Sequence, residues 1–83
     1  PPEYSIYMNL VCDITEYDTT ASGDKGIEVY VNDKLIGNID SKGTTKLKIG
    51  YVSGDELLTV KFHADNAEYT LYSISLDKGQ AET

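Results

Sequence analysis

The side chains best suited to nucleophilic chemistry in this 83-residue chain are Cys12 and His63, each the only residue of its type. A thiol attacks only as its thiolate, so a reactive cysteine needs a base or positive charge within hydrogen-bond reach. Cys12 falls on the apolar parity of its segment and His63 on the polar parity of its own, so a pairing of the two would have to cross a sheet. The competing reading is an inert core thiol and a surface histidine beside acidic residues. One cysteine excludes an internal disulfide and a multi-cysteine zinc site, and it leaves the redox compartment open. No glycine-rich phosphate cradle follows a strand, and no serine sits in a nucleophile elbow. The expectation is a chain that is not an enzyme, with no catalytic residue, no metal ligand set and no cofactor.

Carboxylates offer a second chemistry. Asp18 and Asp24 lie in one polar stretch, and Asp65, Asn66 and Glu68 in another. Calcium takes about six to eight oxygens from such side chains and from backbone carbonyls, so an acidic loop is a candidate site. Neither stretch has the spacing of a helix-loop-helix calcium loop. Turn chemistry accounts for the same residues, because Asp and Asn accept left-handed backbone and bond their own main chain.

Seven tyrosines and no tryptophan make a skewed aromatic set. Tyr7, Tyr17 and Tyr30 fall on outward parity and are the candidate interaction residues, able to stack on sugar rings or to anchor a protein interface. Against this, tyrosine is simply a good strand former whose hydroxyl reaches water from a half-buried ring. Lys46, Lys48 and Lys61 share an outward face if their two strands pair, where they would act as a solvated guard against edge pairing.

Charge narrows the partners. Fourteen acidic residues against seven lysines and no arginine give a net charge of −7. Such a chain has neither the clustered cations that bind phosphate backbones nor the guanidinium groups that read guanine, so nucleic acid is excluded as a partner. An anionic membrane surface would repel it, and no apolar run approaches a membrane span, so no direct membrane insertion is expected. The chain opens on Pro1-Pro2 without a methionine or a signal peptide, which reads as a domain excised from a larger parent.

The elements that must position these residues follow from a period of two. Tyr4 to Ile14 alternates as a long half-buried strand, and Glu16 to Gly26 is polar and punctuated by glycine, the longest loop. Ile27 to Val31, Leu35 to Ile39, Thr44 to Tyr51 and Leu57 to His63 supply four more strands. Tyr69 to Leu76 is a sixth, whose faces are harder to assign because Leu71 falls on one parity and Tyr72, Ile74 and Leu76 on the other. No segment has helical period. The prediction is a single all-β domain over 1–83, an antiparallel β-sandwich of immunoglobulin-like or prealbumin-like type with about six strands, and a polar tail over 77–83.

The corner between the second and third of these strands, Asn32-Asp33, lacks the glycine usual in two-residue turns. A three-residue loop through Lys34 would place Leu35, Gly37 and Ile39 on the face of Val29 and Val31, and is expected because it buries more apolar surface.

From Ile27 the order runs V-x-V, a turn, K-x-I-G, a threonine-rich strand, S-G-D and L-x-V-x-F, carried by Val29, Val31, Lys34, Gly37, Gly54, Leu58, Val60 and Phe62. This resembles PEGA-type modules and related small β-sandwich repeats in surface proteins of Gram-positive bacteria. The resemblance implies a non-catalytic extracellular module that spaces or presents something else. The expected function is therefore a structural or protein-interaction module of a bacterial surface or envelope protein, extracellular or at the cell surface, binding an unidentified protein or cell-surface glycan. The alternative is a carbohydrate-binding module using the outward tyrosines, with or without a structural calcium. A third reading is a small inhibitor that inserts Glu16 to Gly26 into a partner enzyme.

Overall fold

A computed structural model describes residues 4–81. The described residues are all-β, with six strands, β1 (Ser5–Thr19), β2 (Ile27–Val31), β3 (Lys34–Ile39), β4 (Gly43–Ser53), β5 (Val60–His63) and β6 (Ala67–Lys78). They form two antiparallel three-stranded sheets, A in the order β4-β1-β6 and B in the order β3-β2-β5. No helix occurs among the described residues. Only the β2–β3 link is a hairpin within one sheet, and every other connection passes between sheets. At roughly 3.3 Å per residue the 15-residue β1 accounts for the 45 Å long axis.

Most of the core is what alternation predicts, but Ile6 and Tyr51, on the apolar parity of their strands, are 49% and 43% exposed. Leu10, Cys12 and Ile14 of β1 face Ile27, Val29 and Val31 of β2, with Ile39 and Leu47 closing the β3/β4 side. Where strict alternation would expose an apolar side chain, a bulge resets the parity. In β6, Asp13 pairs with Ser73 and Ile14 with Leu71, so Tyr72 is the extra residue. That insertion lets Leu71 pack on the core before it and sets Ile74 and Leu76 opposite Cys12 and Leu10 after it. A second irregularity skips Thr15 in β1 and turns Tyr17 inward, opposite Tyr69.

The β2–β3 corner corrects the expectation of a three-residue loop. Asn32 and Asp33 both have positive φ, 49° and 66°, the two-residue type I′ geometry. Val31 then pairs with Lys34, Tyr30 with Leu35, and Val29 with Gly37, so Ile36 is a bulge residue. The bulge buries Ile39 and packs Ile36 on the core while leaving Leu35 outside, so the apolar demand is met without a longer loop. A Cβ at Gly37 would come within 2.7 Å of the Leu47 Cδ2, so a larger residue there would need the Leu47 side chain to shift.

Three further expectations are corrected. β1 runs through Glu16 to Thr19 in ladder with β6, which shortens the connecting loop to 20–26. β5 begins at Val60 rather than Leu57, because 54–59 is tied to the Asn32 corner. The stretch read as a polar tail starts inside β6: Asp77 and Lys78 pair with β1, and the Gly79 N–H donates to the Tyr7 carbonyl at 2.9 Å.

Candidate functional site

The outward candidates do not share a surface. Tyr7 lies on the outer face of sheet A, its ring edge-to-face with Tyr51 at 5.3 Å. Tyr30 lies on the outer face of sheet B, with the Lys61 ammonium 4.7 Å from its ring centroid. Tyr17 is not outward: the β1 irregularity packs it against the core. The three tyrosines therefore form no common platform. Lys46 and Lys48 sit on sheet A, but Lys61 sits on sheet B because β5 pairs with β2, so the expected three-lysine face is not formed. Lys46 instead donates to Asp77 at 3.0 Å across the β1 strand. That contact holds the Asp77 carboxyl below the ordinary carboxylate range.

Around Tyr30 the outer face of sheet B gathers polar groups. Its hydroxyl donates to Glu28 Oε2 at 3.4 Å, His63 pairs with Glu28 across the ladder, and His63 Nε2 lies 2.9 Å from Asp65 Oδ1. Partial burial, then the Glu28 carboxylate, push the Tyr30 phenol above its ordinary range. Cys12 is on the far side of this sheet, fully buried in the core, where burial raises its thiol pKa. A neutral, enclosed thiol facing away from the histidine has no access to nucleophilic chemistry.

The two acidic stretches, read separately in sequence, meet at one end of the molecule. Asp18 pairs with Glu68 across the β1–β6 ladder, and Thr20 donates through N–H and Oγ1 to the Asn66 carbonyl at 2.8 and 2.9 Å. An open groove of about 350 Å³ there is lined by Glu16, Tyr17, Asp18, Glu68, Tyr69 and Thr70. Asp24 accepts the Gly26 N–H at 3.3 Å, the local turn chemistry that favours Asp in such loops. Among the described residues no group of three or more His, Cys, Asp or Glu side chains is placed to hold a metal ion.

The remaining feature is the side of the sandwich where β5 and β6 should meet. They do not close. A groove of about 230 Å³ separates them, lined by Leu10, Leu58, Val60, Ile74, Ser75 and Leu76. Of these Leu76 is 50% exposed and Ile74 45%, while Leu57 and Tyr72, outside the lining but on the segments that carry it, are 85% and 74% exposed. The opening has a local cause. The segment before β5 is pinned to the β2–β3 corner, the Asn32 N–H donating to the Thr59 carbonyl at 2.9 Å and the Thr59 N–H to Asn32 Oδ1 at 2.8 Å. Glu56 adds to the tether, its Oε2 accepting from the Asn32 Nδ2 at 3.5 Å. With that segment held at the corner, its Leu57 has no strand to pack against. The sequence marked Leu57, Tyr72, Ile74 and Leu76 only as strand residues; the charge-free run Tyr69 to Leu76 was the available signal for an exposed edge.

Among the described residues no helix is long and apolar enough to cross a membrane. Comparison with protein-family models, with curated proteins and with solved structures finds no match to this chain.

Proposed function

We propose that this domain is a non-catalytic structural and protein-interaction module, of the kind carried by bacterial surface or envelope proteins. The observation that supports it is the exposed apolar side between β5 and β6, where the half-exposed Ile74 and Leu76 line an open groove. Apolar surface of that kind is favourable to cover, and contiguous exposed apolar patches mark interaction sites more often than scattered single residues do. The placement at the bacterial surface rests on the PEGA-type resemblance of Ile27 to Phe62. A photoreactive benzophenone side chain at Leu57, in an extract of the producing cells, should yield a discrete protein adduct, and one at Lys42 on the β3/β4 side should not. No adduct at Leu57, or equal labelling at both positions, would remove the reading.

Glycan binding is the second reading, favoured by the Tyr7–Tyr51 ring pair on the outer face of sheet A. Soluble glycans titrated against tyrosine fluorescence should then give a saturable change that Tyr51→Ala abolishes. A flat response across a broad panel rejects it.

A further inference from the structure

We propose that two copies of this chain associate through the free edges of their β6 strands, paired antiparallel about a twofold axis at Ser75. The proposal deepens the interaction reading above, on which it rests, by naming the partner.

Among the described residues β6 is an edge strand of 12 residues whose ladder partner is β1 alone. Its other side presents a row of N–H and C=O groups, the usual template for strand addition. Proteins guard such edges with charge. Here the guard is missing: Tyr69 to Leu76, eight residues, carry none, the longest uncharged run on any of the four edge strands. The β4 edge holds Lys46 and Lys48, β5 holds Lys61, and β3 begins on Lys34.

What fits this edge is set by its own side chains beyond the Tyr72 bulge. Ile74 and Leu76 lie on the inner face, and Ser73, Ser75 and Asp77 on the outer one. Antiparallel self-pairing about Ser75 sets Ile74 of each copy opposite Leu76 of the other, and Ser73 opposite Asp77. Just outside, Tyr72 faces Lys78. Apolar meets apolar, hydroxyl meets carboxylate and ring meets ammonium, and no like charges face one another despite a charge of −7 on each copy. Moving the axis by half a residue would set Ile74 against Ser75 and lose the match. The pairing also brings the two apolar grooves side by side.

Sedimentation equilibrium should show a wild-type dimer. Ser75 is exposed and outside the core, so Ser75→Lys and Ser75→Asp keep the fold, checked by circular dichroism. Each variant alone places like charges on the axis and weakens association by about tenfold or more. An equimolar mixture of the two restores a dimer. Oxidation of Ser75→Cys should link the dimer covalently, Ser73→Cys should not, and the buried Cys12 contributes to neither. Wild type that stays monomeric at millimolar concentration, or Ser75→Lys that dimerises as well as wild type, overturns the proposal. If the Leu57 probe then captures a different protein, only the identity of the partner has failed. If it captures nothing, the interaction reading fails with it.

Discussion

Asn32 is the residue on which most local geometry depends. It accepts positive φ at the turn, its N–H caps the Thr59 carbonyl, and its side chain accepts the Thr59 N–H. Asn32→Ala should therefore cost about 1–3 kcal/mol in denaturant unfolding, from the lost hydrogen bond and the strained backbone together. Asp33 does only the second of these jobs, at a φ of 66°. Asp33→Gly should stabilise the domain by about 1 kcal/mol, with cross-strand nuclear Overhauser contacts between Tyr30 and Leu35 unchanged. A register slip on that change would refute the two-residue corner. Gly26 is the least replaceable position, since its φ of 78° and a Cβ only 2.5 Å from the Ile39 carbonyl both exclude a side chain.

At the scale of elements, alternation in the sequence marked the six strands and nearly the whole core, because an inward residue every second position is what a half-buried strand requires. What it did not carry was the bulges. Alternation points Tyr17 outward and leaves the faces of the last strand ambiguous for the same reason: one inserted residue, Thr15 in β1 and Tyr72 in β6, inverts parity without leaving a glycine to signal it. Pairing partners were also hidden. Lys61 separates from Lys46 and Lys48 because β5 pairs with β2 in the other sheet, a choice made by tertiary packing. Deleting Tyr72 tests the bulge directly. With Asp13 opposite Ser73 and Ile14 opposite Leu71, the deletion closes the ladder into strict alternation and keeps Leu71, Ile74 and Leu76 inward, so it should change stability by less than about 1 kcal/mol. A deletion variant that loses several kcal/mol of stability would show that Tyr72 is not a removable insertion in the ladder. The candidate interaction side was legible only as an uncharged run, since its exposure follows from where Asn32 holds the 54–59 segment.

For the whole molecule, stability should fall in alkali. The Tyr17 and Tyr30 phenols are raised above their ordinary range, by partial burial first and then by Asp24 and Asp40 for Tyr17 and by Glu28 for Tyr30. Folded-state values above the unfolded ones mean that their contribution is complete below the unfolded tyrosine value, about 10, and is lost as pH rises through the folded ones. A spectrophotometric titration should resolve late-titrating phenols that Tyr30→Phe reduces by one. Two copies with a charge of −7 each also repel, so raising salt should tighten their association. The account stands most directly on the free edge of β6, and amide hydrogen exchange as a function of protein concentration reads it. We expect amides of Ser73 to Lys78 that exchange quickly in dilute solution to become protected as concentration rises, with those of β4 unchanged. Exchange in β6 independent of concentration, or protection rising on β4 instead, would contradict it.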